Sequence, residues 1–179
     1  MPRMRTWEYS TKDGAIISVR HAVPADARNL HGGFDEVIQE GIWLPTFNAN
    51  SNIADWVNWI QRTNQSRDVM LVAEIDDEYT GHLTLQTEEW MASRHVAKLG
   101  IIITKDHRGR GIGRALMQAA EEAALDSGFQ KIILSTFEDN QIARSLYATM
   151  KYREVGVRKR HFKMPKGFID EVLFEKELV

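Results

Sequence analysis

Apolar residues along this chain occur either at helical spacing or in short continuous runs. The run VMLVAEI at 69–75 is bounded by polar residues and predicts a strand. Ile53, Trp56 and Ile60 recur every three or four residues and predict a helix over 53–64. Together these patterns predict strands at 15–21, 69–75, 79–87, 95–104, 131–137, 153–163 and 168–178, and helices at 24–39, 53–64, 112–126 and 140–150.

The order of these elements predicts the fold class. A run of antiparallel hairpins followed by a strand–helix–strand crossover indicates an α/β (α+β) protein with one mixed, twisted sheet. We expect about seven strands flanked by about four helices. No linker, repeat or low-complexity tract divides the sequence, so we expect a single domain over residues 1–179.

Composition narrows the functional class. The chain has 179 residues, 43% of them hydrophobic, a formal net charge of −2 and no cysteine. The lack of cysteine excludes disulfides, zinc–thiolate sites and a cysteine nucleophile, and fits a reducing compartment. Because there is neither a signal-peptide pattern nor an apolar run of about 20 residues, we expect a cytoplasmic protein without membrane contact. The near-neutral charge argues against nucleic acid as a partner.

The stretch at 99–114 carries the strongest functional signal. It predicts a buried strand, then a glycine-rich basic loop, then the first turn of a helix. Glycines let the backbone approach a ligand closely, and the free N–H groups of a helix start attract anions. Four basic residues against one acidic residue give the loop a local charge of +3, which indicates a small anionic ligand; these residues are Lys105, Arg108, Arg110, Arg114 and Asp106.

Two common phosphate-binding motifs do not fit this loop. A P-loop ends in Gly-Lys-Ser/Thr, whereas this loop ends in Gly113-Arg114-Ala115. A dinucleotide fingerprint needs Gly-x-Gly-x-x-Gly, and the last glycine spacing here is wrong. Glu138 or Asp139 could serve as the acidic ribose ligand, but a lone acidic residue is weak support for that motif. A dinucleotide-binding protein therefore ranks below the two interpretations given below.

The loop does match Arg/Gln-x-x-Gly-x-Gly/Ala, written here as Arg108-Gly109-Arg110-Gly111-Ile112-Gly113. This resembles the pyrophosphate-binding loop of the GNAT superfamily of acyl-CoA-dependent N-acetyltransferases. A second motif of that family, Asn-x-x-Ala-x-x-Leu-Tyr, is matched by Asn140 to Tyr147. The element order is also that of the GNAT fold, and the resemblance runs over residues 15–178.

The resemblance implies an acetyltransferase with acetyl-CoA as cosubstrate and without a metal. The acceptor would be the primary amine of a small molecule or peptide, acetylated by direct transfer in a ternary complex. Tyr147 would protonate the leaving thiolate. The residues implied in acetyl-CoA binding are Ile101, Ile102 and Ile103 through their main chain, the loop residues Arg108, Gly109, Arg110, Gly111, Ile112, Gly113 and Arg114, and Asn140 and Tyr147.

The general base is the least certain part of the resemblance. Lys98 stands where many family members carry a glutamate, and Thr149 replaces a usual basic contact to the nucleotide. We predict Glu88 and Glu89 as the catalytic carboxylates, with His82 and His95 as further candidates, and we expect none of them to be indispensable because water held by these groups can take the proton. A lysine-like amine lies about 3.4 pKa units above pH 7 and an α-amino group only about one, so α-amines are the favoured acceptors.

Several of these residues also have purely structural interpretations. Asn140 fits a helix cap and Tyr147 a core position. The basic segment 158–163 fits a solvent-facing strand, or a surface for an acidic substrate, protein or RNA. The aromatic residues near the first two helices fit either core packing or an acceptor pocket; they are Trp43, Phe47, Trp56 and Trp59. The rival function is an acyl-CoA-binding sensor or interaction module without catalysis, and a homodimer stays open.

Overall fold

The computed structural model describes residues 4–179. Its four helices are α1 (Ala27–Glu40), α2 (Ile53–Asn64), α3 (Ile112–Asp126) and α4 (Gln141–Thr149). Its strands are β1 (Thr6–Ser10), β2 (Ile16–His21), β3 (Val69–Ile75), β4 (Glu78–Thr87), β5 (Val96–Ile103), β6 (Lys131–Phe137), β7 (Arg153–Met164) and β8 (Gly167–Glu177). No helix within residues 4–179 has the length and apolarity needed to cross a membrane.

The strands form one eight-stranded sheet in the order β1-β2-β3-β4-β5-β6-β8-β7. This confirms the predicted mixed α/β class and the four helices, but the sheet has one strand more than expected. The additional strand is β1, an edge strand that pairs only with β2. Its core residue Trp7 is 6% exposed and donates to Glu122 on α3 at 3.1 Å. A strand of five residues with one buried apolar side chain gives too short an alternation to stand out in the sequence.

The central feature of the sheet is that β5 and β6 separate. The two strands pair in parallel over only three residues each, Val96–Lys98 with Lys131–Ile133. Beyond these residues β5 stays paired with β4 and β6 stays paired with β8, so the strands diverge toward their carboxyl ends. We call the opening between residues 99–103 and residues 134–137 the β5–β6 gap.

Helices cover both faces of the sheet. α3 and α4 pack on one face over the larger core, in which α3 contributes a row of small residues that allow close approach. α1 and α2 pack on the other face over a smaller core built around Leu30, Trp56 and Ile60. β3 lies between these two cores, which is why its sequence is a nearly continuous apolar run.

Candidate active site

The glycines of the 109–113 loop serve two different physical purposes. Gly109 and Gly111 have φ values of 75° and 88°, and a Cβ on either would meet no atom within 4 Å. They are therefore required for the left-handed backbone and not for space. Gly113 is required for packing, because its Cβ would lie 3.0 Å from Leu146 Cδ2 and 3.1 Å from Ile103 Cδ1.

Together these glycines present a row of free main-chain donors. The first hydrogen bond of α3 runs from the N–H of Ala115 to the carbonyl of Gly111 at 3.0 Å. The six preceding N–H groups, from Gly109 to Arg114, have no partner within residues 4–179. Six free donors at the positive end of a 15-residue helix are an arrangement that favours anions.

The side chain of Arg108 is already engaged. It donates to both oxygens of Glu40, the last residue of α1, at 2.7 and 2.6 Å, and to the carbonyl of Ile103 at 3.1 Å. Trp43 stacks beneath the guanidinium at 5.1 Å and donates to Glu40 as well. These hydrogen bonds, with that from Arg108 first, lower the pKa of Glu40. Arg108 therefore ties the loop to α1, and its phosphate contact stays a prediction.

The local charge of +3 counted from the sequence is largely balanced in the structure. Arg110 lies 3.7 Å from Asp13, and Glu36 accepts the main-chain N–H of Lys105 at 3.0 Å. Arg114 is exposed and has no ion pair with the rest of the described chain. The carboxylates come from the β1–β2 turn and from α1, so a count within the loop alone misses them.

The edge of β5 turns further main-chain groups toward the gap, although the carbonyl of Ile103 already accepts from Arg108. Val96, the first residue of β5, accepts the N–H of Glu88 just after β4, and Thr104, just after β5, donates to Thr80 of β4. Successive residues of a strand point their main-chain groups to opposite sides. Ile101 and Ile103 therefore turn their main-chain groups toward the β5–β6 gap, whereas those of Ile102 turn to β4. The main-chain role predicted for the three isoleucines fits 101 and 103 and does not fit 102.

The start of α4 confirms the capping interpretation of Asn140. Its side-chain oxygen accepts the N–H of Ala143 at 3.1 Å. Nearby, Leu146 lies against Gly113, so α4 contacts the beginning of α3 on one side of the gap. The second motif is therefore placed next to the loop by packing.

Tyr147 is a buried residue whose hydroxyl is not used by the fold. The residue is 5% exposed, and its ring packs edge-on against Phe174 with centroids 5.4 Å apart. Within residues 4–179 the hydroxyl has no hydrogen-bond partner, yet the oxygen is not sealed from solvent. Burial raises the pKa of Tyr147 to about 12, so the phenol carries its proton at neutral pH.

The predicted carboxylates lie at the closed end of the gap. Glu88 follows β4 directly, and its N–H bonds to the carbonyl of Val96 at 3.1 Å; Glu89 is exposed beside it. His95 is exposed just before β5. Gly100, where the strands have opened, lies four residues beyond Val96, or roughly 13 Å along the strand. This position does not support Glu88 or Glu89 as the base, and their role stays a prediction.

His82 is enclosed in the smaller core. Its Nδ1 lies 2.6 Å from the hydroxyl of Tyr79, and its ring meets Trp56 edge-on at 5.6 Å. Burial lowers its pKa to about 3. His82 is therefore neutral and buried away from solvent, and its hydrogen bond with Tyr79 has a structural role.

The structure also brings together a cluster that the sequence did not predict. Glu171 on β8 is 6% exposed and accepts from Ser135 at 2.6 Å and Arg158 at 2.9 Å, and His161 Nε2 lies 3.3 Å away. We call these four residues the Glu171 cluster. Burial alone would raise the pKa of Glu171, but the hydrogen bonds from Ser135 and Arg158 and the nearby positive charge outweigh it and lower the pKa.

The Glu171 cluster and Tyr147 lie on opposite faces of the sheet. Val172 and Phe174 of β8 point into the core under α3 and α4, so Glu171 points to the other face. The sequence signal for the cluster is weak, because its members come from three strands. The one visible hint is the acidic pair Asp170-Glu171 inside the apolar run of β8.

The four aromatic residues considered for the acceptor pocket do not share one wall. Trp56 is 4% exposed in the smaller core, and Trp59 packs beside it with ring centroids 5.0 Å apart. Trp43 lies under Arg108, and Phe47 is 61% exposed. The core interpretation therefore applies to Trp56 and Trp59.

Known proteins match this chain in sequence. An L-amino acid N-acetyltransferase of Escherichia coli is 30% identical over 102 residues, which cover 56% of this chain and 62% of that relative. The match thus spans less than two thirds of the relative's length. An L-amino acid N-acyltransferase of Escherichia coli is 23% identical over 142 residues, covering 76% of this chain and 79% of that protein.

Solved structures match its fold. A GNAT-family acetyltransferase from Streptococcus pneumoniae has a TM-score of 0.84 and 24% identity, covering 90% of this chain and 99% of that one. An acetyltransferase from Salmonella typhimurium, solved with acetyl-CoA, has a TM-score of 0.86 and 14% identity, covering 91% and 94%. The model of the acetyltransferase (GNAT) family matches residues 37–152, well over half of the sequence. The chain belongs to the acetyltransferase (GNAT) family.

Proposed function

We propose that this protein transfers an acetyl group from acetyl-CoA to a primary amine, directly and within a ternary complex. The observation that carries the proposal is the row of six free N–H groups from Gly109 to Arg114, which opens onto the β5–β6 gap. Family membership and the acetyl-CoA bound to the Salmonella typhimurium neighbour support this cosubstrate.

The proposed acetyl-CoA site uses the two main-chain surfaces in succession. The pyrophosphate takes the N–H groups of the loop, where the helix dipole favours its charge. The pantetheine arm then runs along the free edge of β5 and pairs with Ile101 and Ile103 as an added strand would. The thioester thereby lies in the gap, accessible from both faces of the sheet.

The proposed chemistry uses these two faces separately. The amine nitrogen attacks the thioester carbon, a main-chain N–H of β5 polarises the carbonyl oxygen, and the carbon–sulfur bond breaks. The leaving thiolate takes the proton of the Tyr147 hydroxyl, which lies on the α3–α4 face and is not used by the fold. The amine gives up its proton on the opposite face.

An α-amino acceptor is favoured within this scheme. Such an amine needs about one pKa unit of assistance at neutral pH, whereas a lysine side chain needs about 3.4. The two Escherichia coli relatives act on L-amino acids by name, which supports the same choice. The lack of cysteine supports a reducing, cytoplasmic location, and one sheet through all eight strands supports a single domain.

Binding is tested with Gly111→Leu and calorimetric titration of acetyl-CoA and NAD. A side chain at Gly111 distorts the left-handed backbone and blocks the approach of the pyrophosphate, so we expect acetyl-CoA affinity to fall at least about 100-fold. Gly128→Leu is the control, since Gly128 has a φ of 79° at the far end of α3. Unchanged acetyl-CoA affinity in Gly111→Leu, or preferential binding of NAD by the wild type, contradicts the proposal.

Transfer is tested by thiol release with single L-amino acids and with Nα-acetyl-lysine as the ε-amine. We expect release that depends on the acceptor and is faster with α-amines. Tight acetyl-CoA binding without acceptor-dependent thiol release identifies a catalytically silent binder instead. A strong preference for the ε-amine overturns the choice of acceptor.

A further inference from the structure

Gly100 leaves an open space on the α1–α2 face of the sheet, at the point where the β5–β6 gap begins. Leu99 and Ile101 pack into the larger core under α3, so Gly100 and Lys98 face the opposite way. Gly100 is exposed, and a Cβ on it would meet only the Thr84 hydroxyl within 4 Å, at 3.2 Å. We call the space bounded by Gly100, Thr84 and Lys98 the Gly100 recess.

Thr84 aims an unused hydroxyl into this recess. It pairs with Gly100 across β4 and β5, and it is only 8% exposed. Within residues 4–179 the hydroxyl makes no hydrogen bond, yet the oxygen is not sealed from solvent. Two other buried threonines, Thr80 and Thr104, donate their hydroxyls to main-chain carbonyls at 2.9 and 3.1 Å. Because a buried polar group without a partner is costly, a ligand in the recess would supply what Thr84 lacks.

Lys98 adds a positive charge at the edge of the recess. It is exposed and is the last β5 residue that pairs with β6. Gly100 lies two residues further, or roughly 7 Å along the strand, which the flexible four-carbon side chain of a lysine can span. The residues directly beside Lys98 are Gln86 on β4 and Ile133 on β6, and neither is charged.

The structure gives Lys98 no internal counter-ion. Glu175 on β8 accepts the Lys131 ammonium at 2.6 Å and also pairs with Arg153, so this carboxylate is already engaged. Glu88, just past the end of β4, is half-buried and forms no ion pair with Lys98 within the described part of the chain. The ammonium of Lys98 is therefore available to an anion from outside.

We propose that the Gly100 recess binds the α-carboxylate of the acceptor amino acid, through the Lys98 ammonium and the Thr84 hydroxyl. This rests on the proposed acetyl transfer and names the groups that hold its acceptor. A carboxylate accepts several hydrogen bonds at once, and charge-assisted bonds are the stronger kind. A cation beside a free hydroxyl therefore matches this ligand.

The recess also places the reacting nitrogen. In an amino acid the α-amine stands on the carbon next to the carboxylate, so an acceptor held over Gly100 has its amine at the start of the β5–β6 gap. The ε-amine of a lysine is at the far end of the side chain and does not reach the same place. Position thus gives a reason for the α-amine that is independent of its pKa.

The test compares an L-amino acid with its amide, which has the same amine and side chain but no carboxylate. With the amino acid that is turned over fastest, we expect Lys98→Gln to lower kcat/KM about 10- to 100-fold, chiefly through a higher KM. For the amide we expect kcat/KM within about twofold of wild type, because its contacts do not involve the charge.

Three further variants separate binding from structure. Thr84→Val keeps the shape of the side chain but loses the hydroxyl, so we expect a loss of about three- to tenfold with the acid alone. Lys98→Arg keeps the charge and should restore most of the activity with the acid. Lys166→Gln, in the exposed β7–β8 turn, is the control and should change neither substrate. The acetyl-CoA dissociation constant, measured by calorimetry, stays within about twofold in all four variants.

An unreactive analogue gives a second measurement that does not depend on turnover of the amide. The desamino acid retains the carboxylate and the side chain but has no amine to acetylate. We expect it to compete with the amino acid in the wild type and to inhibit Lys98→Gln at least about tenfold more weakly. Equal inhibition of the two proteins, or none, contradicts the carboxylate subsite.

The outcomes distinguish the two proposals. Equal losses with acid and amide in Lys98→Gln, or no loss with either, overturn the subsite and leave acetyl transfer standing. A wild type that acetylates other amines but no amino acid overturns the subsite alone. A wild type that binds acetyl-CoA but acetylates none of the amines overturns both.

Discussion

The two sides of the β5–β6 gap are built from different parts of the polypeptide. On the α3 side the site is made of main chain: the six N–H groups of the loop and the free edge of β5. On the opposite face lies the Glu171 cluster, which is made of side chains from three strands. The match to the family model covers the first side and ends at residue 152, before β7 and β8. The family match therefore covers the main-chain features of the candidate site, and the Glu171 cluster has members outside it.

Tyr147→Phe tests this comparison most strongly, because the phenol is the one side chain on the α3 side for which we propose a chemical role. We expect kcat to fall by about 10²–10⁴ with acetyl-CoA affinity unchanged, since the ring and its packing remain while the proton donor is lost. Steady-state kinetics and calorimetry measure the two effects. Tyr152→Phe is the matched control, because Tyr152 is a tyrosine buried in the same core. Full turnover in Tyr147→Phe would mean that the residue only packs.

The pair of Arg108 and Glu40 tests whether the loop binds through its main chain alone. Because the guanidinium is held by Glu40, we expect Arg108→Ala and Glu40→Gln each to weaken acetyl-CoA by about tenfold through the loop's position. The double variant should then bind acetyl-CoA no more weakly than either single variant, because both substitutions break the same ion pair. If only Arg108→Ala weakens acetyl-CoA binding, the arginine side chain contacts the phosphate directly. The loop would then bind through a side chain as well as through its main chain. Arg144→Ala, from the ion pair with Glu154, serves as the control.

The smallest expected effect is a change in stability with pH that comes from His82. This side chain lies on the α1–α2 face, and we assign it a structural role and not a catalytic one. Burial lowers its pKa to about 3, so the unfolded chain binds a proton below about pH 6.5 that the folded chain does not. Burial of neutral His82 therefore costs no free energy of unfolding above about pH 6.5. Below it, the free energy of unfolding falls by at most about 1.4 kcal/mol for each pH unit. Urea unfolding between pH 7 and 4.5 measures this slope.

His82→Asn retains an acceptor for Tyr79 and should flatten the slope. His95→Gln, at an exposed position, should leave it unchanged. An unaltered slope in His82→Asn would show that His82 titrates while folded, which would return it to the candidates for the base.

The sequence predicted what depends on neighbouring residues and missed what depends on distant ones. The bounds of α2, α3, β3 and β6 agree with the prediction because each is set by local periodicity and turn residues. The free N–H groups of the loop follow equally from glycine spacing. By contrast, the partner of Arg108 is 68 residues away and that of Ser135 is 36 residues away. Such contacts depend on strand order and register, which no local pattern encodes.

An open sheet interior has a thermodynamic consequence beyond catalysis. Where β5 and β6 diverge, the facing edges of these two interior strands are not hydrogen-bonded to each other within the described residues. A cosubstrate that binds in this space hydrogen-bonds to the open strand edge. Its binding therefore stabilises the native state. At 100 times its dissociation constant such a ligand adds about 2.7 kcal/mol to the free energy of unfolding. The supply of acetyl-CoA in a cell would then govern how long the protein survives as well as how fast it works.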